Sequence, residues 1–155
     1  MKNTKAFTIL ELLVVISVLV ILIGIAIPRI KGMKDAGTIT KVKKELRTLM
    51  TATESYYMMH GAYPAASGNS TSAQTDYLIS ENPQIIPSVL YDPFTDGGST
   101  EYWFRLDSSG KYYVWFSSGI NGVNESGGGR LAPISSSGVV TRSGDDICVT
   151  NGSGC

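Results

Sequence analysis

One carboxylate stands where a carboxylate is costly. Glu11 lies inside the run from Phe7 to Ile27, where only Thr8 and Ser17 are otherwise polar. At the centre of a bilayer a charged group costs about 2.5–3.5 kcal/mol on insertion scales, and less near the surface. Glu11 is therefore either a tolerated edge carboxylate or a group that meets a positive charge. A cut between Ala6 and Phe7 would create that charge as a new α-amino group. Its unperturbed pKa of about 8 leaves it largely protonated at neutral pH. In a neighbouring copy, the amine would neutralise Glu11 in an apolar setting. This is pairing chemistry, and the chain offers little for catalysis. His60 ends a helical pattern with no Cys or Ser partner motif. Gly127-Gly128-Gly129 follows a β region and precedes Arg130, so it reads as a loop and not as a phosphate cradle opening a helix. One His and two Cys leave too few ligands for a zinc site. An enzyme is not expected.

The elements that position Glu11 begin with the run itself. From Phe7 to Ile27 a helix would reach about 30 Å at about 1.5 Å per residue, the thickness of a bilayer core. Every side of it is apolar, which suits lipid and not a soluble core. Lys2 and Lys5 precede it, and Arg29, Lys31 and Lys34 follow. A secretory signal peptide has a similar charged start, but its apolar stretch is usually about 7–15 residues. The positive-inside tendency keeps Lys2 and Lys5 cytoplasmic, with the basic residues beyond the span in mild conflict.

The remaining composition is that of one domain. Of 155 residues, 43% are hydrophobic, which excludes a disordered chain. Thirteen basic residues balance thirteen acidic ones, so no nucleic-acid partner is expected from bulk charge. Beyond the span, Ile39, Val42, Leu46, Leu49, Met50, Thr53, Tyr56 and Tyr57 recur at helical spacing, one stripe of an amphipathic helix. Gly61 and Pro64 stop it. Pro28 lies within the helical stretch and cannot donate to the carbonyl of Gly24. With Gly24, Gly32 and Gly37 nearby, a kink or locally melted turn is expected over residues 24–37. Pro28 reads equally as a simple membrane exit or as a hinge.

Residues 61–100 read as a connecting region. Ala65 to Thr75 is loop-like, Tyr77 to Leu90 holds a short helix or irregular packing, and Pro83, Pro87 and Pro93 forbid a long element. Then the pattern turns to period two. Tyr102, Phe104 and Leu106 alternate with Trp103 and Arg105, Asp107-Ser108-Ser109-Gly110 is a turn, and Tyr113, Trp115 and Ser117 alternate with Tyr112, Val114 and Phe116. This is a β-hairpin. Val139–Arg142 and Ile147–Thr150 are candidate strands. The expected fold class is α+β: a long N-terminal helix, apolar in its membrane half and amphipathic in its second half, packed on a small antiparallel sheet. The aromatics then form the core under the helix stripe.

Lys5-Ala6-Phe7-Thr8-Ile9-Leu10-Glu11-Leu12 resembles the class III signal of type IV pilins and type II secretion pseudopilins, with Ala6 where the family usually has Gly. Tyr56 to Pro64, Tyr91-Asp92-Pro93-Phe94, Ser117 to Gly122 and Asp145-Asp146-Ile147 are similar to later pseudopilin segments and point to the major pseudopilin. The resemblance implies a pilin-like fold with a leader over 1–6, a membrane and filament-core helix over 7–28 and a head helix over 29–60. A connecting region follows over 61–100, then a sheet with a Gly-rich loop and a Cys pair over 101–155. It implies cleavage between Ala6 and Phe7 by a prepilin peptidase, N-methylation of Phe7, and assembly through Phe7, Glu11 and Pro28. The implied partners are further copies in a helical filament, an inner-membrane assembly platform and minor pseudopilins. The implied location is the inner membrane as a single-span protein, then a periplasmic pseudopilus or a cell-surface filament.

The same resemblance implies calcium in the loop after the hairpin. Calcium takes six to eight oxygens at about 2.3–2.6 Å. Ser117, Asn121, Asn124, Asp145 and Asp146 are the candidate ligands, with Glu125 beside them. Asn121 stands where the family has Asp. A plain solvated loop is the competing reading. Cys148 and Cys155 flank Asn151-Gly152, and a disulfide is the default for an exported domain. The pair resembles the disulfide-closed end of type IV pilins. The alternatives to a secretion pseudopilin are thus a type IV pilin serving adhesion, motility or DNA uptake, and a monomeric membrane-tethered binding module.

Overall fold

A computed structural model describes residues 7–65 (27–32 by backbone alone), 70–122, 134–141 and 144–155. The chain divides by its contacts into two units, Met1–Gly37 and Thr38–Cys155. Helix α1, Ile9–His60, supplies residues to both.

In the first unit, α1 carries the stretch Ile9–Ala26, with a mean hydropathy of 3.1 and none of it buried. By length and composition it can cross a membrane. Residues 24–37 are helical throughout, so the locally melted turn expected there is absent. Physically, Pro28 deletes one N–H donor, and Gly24 and Gly37 each weaken a helix by about 1 kcal/mol. The bonds on either side carry the helix through.

In the second unit, the expected stripe is the buried face of α1. Val42, Leu46, Leu49 and Thr53 are fully buried, and Ala52 joins them. Met50 and Tyr56 are partly buried, whereas Tyr57 is 42% exposed and lies off the core, a correction to the stripe. Gly61, at φ +69, ends α1 by donating its N–H to the Tyr57 carbonyl at 2.8 Å. A left-handed residue at this position favours glycine.

Three antiparallel strands follow, β1 (Trp103–Leu106), β2 (Tyr113–Ser117) and β3 (Ile147–Thr150), in the order β1-β2-β3. Trp103 pairs with Phe116 and Leu106 with Tyr113, which fixes the hairpin register. Asp107 ties the hairpin turn: its carboxylate accepts the backbone N–H groups of Ser109, Lys111 and Tyr112, each at 2.8 Å. The sheet separates two apolar clusters. Phe104, Tyr113 and Trp115 pack with Val42, Leu46 and Leu49 of α1. Val114 and Phe116 pack with Ile134 and Val140. All five residues of β2 are therefore buried, and its alternation separates two cores instead of core from solvent. Fully burying one such side chain stabilises by roughly 1.5–3 kcal/mol.

The candidate strand over Val139–Arg142 does not form as expected. Val139 makes an isolated parallel bridge with Ser153, Val140 continues the pairing with Ser153, and Arg142 lies outside the described residues. The connecting region holds a π-helical turn, Gln74–Ile79. The buried Gln74 amide clamps Leu90, accepting its N–H and donating to its carbonyl, both at 2.8 Å. Burying that amide is tolerated because both its ends are hydrogen-bonded.

Candidate functional site

Candidate functional residues gather at two places, the start of α1 and the turn after β2. At the first, Thr8 caps the helix. The Glu11 N–H donates to Thr8 Oγ1 at 3.2 Å, and Glu11 Oε2 accepts the Thr8 N–H at 3.0 Å and its hydroxyl at 2.9 Å. This is a capping box, which satisfies helix-end donors reciprocally. The sequence carried its signal, Thr-x-x-Glu before an apolar run, and the reading of Glu11 by charge alone missed it. Phe7 is 76% exposed, and the large apolar side chains from Ile9 to Ile25 are exposed with it. Ala6 lies outside the described residues, and of Pro28 only the helical backbone is described.

At the second place, the turn Gly119–Gly122 is closed by the Gly122 N–H on the Gly119 carbonyl at 3.2 Å. The Asn121 N–H donates to Asp145 Oδ2 at 3.0 Å, so the turn and the approach to β3 are joined. Gly119, at φ +69, touches the Asp145 backbone so closely that a Cβ there would collide with its carbonyl. A Cβ on Gly122 would stand 2.7 Å from the Phe94 carbonyl. Glycine is required at both positions by contact as well as by φ. Ile39, Lys43, Ile120, Asp145, Asp146 and Ile147 line a cleft of about 200 Å³ there.

Of the expected calcium ligands, Asn121 and Asp145 are brought together, and Asp146 follows with 1% exposure. Ser117 is fully buried, and its hydroxyl donates to Asp92 Oδ1 at 2.8 Å. Asn124 and Glu125 lie outside the described residues. Among the described residues no group of three or more His, Cys, Asp or Glu converges. The donors present, two adjacent carboxylates beside a Gly-rich turn, have the oxygen chemistry of a hard cation and not that of a softer metal.

Asp92 is the structural support of this turn that sequence reasoning missed. It is fully buried and accepts from Phe94 N at 3.1 Å, Ser118 N at 3.0 Å and the hydroxyls of Thr95 at 3.0 Å and Ser117 at 2.8 Å. A buried carboxylate needs such a shell. The knot fixes the Asp92–Thr95 loop to the end of β2, immediately before the turn. Its signal in the sequence is Asp92-Pro93 after an apolar stretch.

The C-terminal ring is closed by the Cys148–Cys155 disulfide, with Cα atoms 5.4 Å apart. The tail inside it pairs with the segment before β3: Val140 N donates to the Ser153 carbonyl and Ser153 N to the Gly138 carbonyl, both at 2.8 Å. Asn151 is held at both ends, accepting from Tyr113 N at 2.9 Å and donating to the Tyr63 hydroxyl at 3.2 Å and the Lys111 carbonyl at 3.0 Å. The single histidine, His60, stacks on Tyr56 with ring centroids 4.2 Å apart and faces Glu81 at 3.3 Å.

Residues 1–27 match a family described as the prokaryotic N-terminal methylation motif. The chain carries a class III signal motif. The type II secretion system core protein G of Klebsiella michiganensis is 28% identical over 92 residues, 59% of this chain. The match spans 61% of that relative's own length. No solved structure matches the chain. The long apolar helix and three-stranded antiparallel sheet are consistent with a pilin-like α+β fold. The motif and the exposed helix Ile9–Ala26 fit anchoring in an inner membrane. Pilins and pseudopilins are structural proteins, not enzymes.

Proposed function

We propose that the chain is a structural subunit of a type II secretion pseudopilus, polymerising through α1 into a filament that drives protein secretion. The observation that carries this reading is the start of α1: an apolar helix with none of Ile9–Ala26 buried, lying within the matched methylation motif over residues 1–27, with Glu11 in its first turn. The similarity to a secretion core protein supports it.

Before assembly the subunit sits in the inner membrane with its head in the periplasm. Prepilin peptidase removes residues 1–6 and exposes the Phe7 amine, which is then N-methylated. An assembly platform extracts the subunit, and minor pseudopilins accompany it in the filament. The apolar surface of α1 leaves lipid and is buried again between helices. There the Phe7 amine of one copy meets Glu11 of the next, and Glu11 trades part of its hold on Thr8 for a charged partner. Pro28 marks the weakest stretch of the helix for this transfer. Calcium joins the reading as a cation held by Asp145, Asp146 and oxygens of the turn after β2. It would supply positive charge that ties the turn to β3.

The test is assembly in a host carrying the type II secretion components. Sheared filaments containing this chain, starting at Phe7 by intact mass, together with secretion into the medium, are the expected result. A chain starting at Met1 or at Ile27 overturns the reading. The Cys148–Cys155 ring favours one second reading, a type IV pilin. Retraction-dependent motility or DNA uptake in place of secretion would select it.

A further inference from the structure

Tyr57 is exposed where the helix stripe leads one to expect a core residue, and it forms a wall with Tyr63. The two rings stack with centroids 4.5 Å apart and planes 30° apart. Tyr63 is fixed in turn: its hydroxyl donates to Glu54 Oε2 at 3.2 Å and accepts from Asn151 Nδ2 at 3.2 Å, and its ring tilts against Tyr113 at 4.9 Å. Tyr57 stays 42% exposed on this support. Together with Gly61, Ala62, Gly110 and Lys111, the two tyrosines line an open cleft of about 470 Å³ where the end of α1 meets the turn between β1 and β2. Small-ligand sites span roughly 300–1,000 Å³, with aromatic walls and a few placed polar groups.

Lys111 is braced through its backbone. Its N–H donates to Asp107 Oδ1 at 2.8 Å, and its carbonyl accepts from Asn151 Nδ2 at 3.0 Å. Its exposed side chain makes no ion pair among the described residues. The Tyr57 hydroxyl and the backbone N–H and carbonyl of Ala62 have no hydrogen-bond partner among the described residues either. No atom stands within 4 Å of where a Cβ would lie on Gly61 or Gly110, so both glycines leave the cleft open. An aromatic face, a hydroxyl, a backbone donor and acceptor, and an ammonium group are thus gathered on a rigid frame.

We propose that this cleft is a carbohydrate site that takes an acidic sugar of a glycan. A sugar ring has an apolar C–H face, which lies on an aromatic ring, and hydroxyls at its edge that both donate and accept. The Tyr57 ring meets the first requirement, and its hydroxyl with the Ala62 backbone meets the second. A carboxylate on the sugar then meets the Lys111 ammonium in a charge-assisted hydrogen bond. A purely apolar ligand would leave the hydroxyl, the Ala62 backbone and Lys111 unused, and a simple anion would leave the ring unused. Because Tyr63 and Asn151 already hold the frame, binding orders little besides the Tyr57 and Lys111 side chains, which lowers its entropic cost. The site lies at the last turn of α1, away from the Phe7 and Glu11 chemistry, and does not depend on the filament reading.

The experiment titrates the full chain, held in an amine-oxide detergent whose head group is not a sugar, with trigalacturonate and with neutral maltotriose, by calorimetry or ligand-observed NMR. Trigalacturonate is expected to bind saturably and more tightly than maltotriose. Tyr57→Phe should bind it with little change, and Tyr57→Ala about fivefold or more weakly. Lys111→Glu, an exposed change that leaves the backbone bonds of the turn in place, should fold with an unchanged Tm and lose trigalacturonate. No saturable binding of trigalacturonate overturns the site, and maltotriose bound as tightly overturns its preference for an acidic sugar. Undiminished binding by Lys111→Glu, or by a folded Tyr57→Ala, also overturns it. Should Tyr57→Ala fail to fold, Lys111→Glu alone decides.

Discussion

The Trp115 indole donates to the Thr53 hydroxyl at 2.8 Å, and that hydroxyl donates to the Leu49 carbonyl one turn back, also at 2.8 Å. Both residues are fully buried, so β2 is tied to α1 by a polar pair inside an apolar core. Thr53→Val keeps the volume and leaves the indole N–H without its acceptor. The expected loss is about 1–3 kcal/mol of stability, with Thr53→Ser retaining most of it. Thermal or denaturant unfolding of the two variants checks this. Equal stability of Thr53→Val and wild type would remove the pair from the account of the core.

Stability should also fall at both ends of the pH scale. Burial pushes the Tyr113 hydroxyl well above its usual range, with its bond to Glu54 Oε1 at 2.7 Å adding to the shift. Tyr102 is raised in the same way by burial and by Glu45, which it meets at 2.6 Å. A raised folded pKa means that the folded chain holds its proton longer. These contributions are full below the unfolded value of about 10 and are lost as pH rises beyond it. At Asp107 burial acts to raise the pKa, but hydrogen bonds from Ser109, Tyr112 and Lys111 outweigh it and hold the carboxyl below its usual value. Its contribution is present above the unfolded value of about 3.9 and is lost as pH falls through the folded one. Unfolding followed against pH should show Tyr113→Phe flattening the alkaline arm and Asp107→Asn the acid arm.

Thr8 and Glu11 allow charge to be separated from capping. Glu11→Gln can still close a capping box, because Gln serves at that position, but it carries no charge for a neighbour's amine. Thr8→Val keeps the charge and removes the cap, at a cost of about 1 kcal/mol to the helix end. Glu11→Gln should lower filament yield sharply at an unchanged level of membrane subunit, and Thr8→Val should lower it less. Wild-type yield from Glu11→Gln, measured in sheared fractions, would rule out pairing by charge.

The two halves of the chain differ in how much their residues disclosed. The apolar run was legible from its length and unbroken hydropathy, and the helix stripe from Val42 to Thr53 and the hairpin because they follow periods of 3.6 and 2. The Phe7–Glu11 register was legible because its elements are adjacent in sequence. Asp92 was not, because its donors on Ser117 and Ser118 come from distant positions and meet it only after β2 is placed. Nor was the second apolar cluster, since Ile134 and Val140 lie in a Ser/Gly-rich stretch without period. Pro28 misled because the helix tolerates one missing donor when its neighbours stay bonded.

Calcium gives the last prediction. The turn Gly119–Gly122 already meets Asp145 through the Asn121 N–H, and Asp146 adds a nearly buried carboxylate beside it. A cation bound only by the folded head raises stability by mass action, by about 2.7 kcal/mol at a hundred times its Kd. A domain of this size then melts several degrees higher, at about 4 °C per kcal/mol. Magnesium should do less, because it demands tighter octahedral geometry and keeps its waters. Asp145→Asn is the informative variant: Asp145 is exposed, and the amide oxygen of Asn can still accept the Asn121 N–H. Removing Asp146 would instead disturb a buried group and confuse folding with binding. Asp145→Asn should fold normally and lose most of the calcium-induced rise in Tm. Identical melting of the wild-type chain in calcium, magnesium and chelator would leave the turn held by its glycine contacts and hydrogen bonds alone.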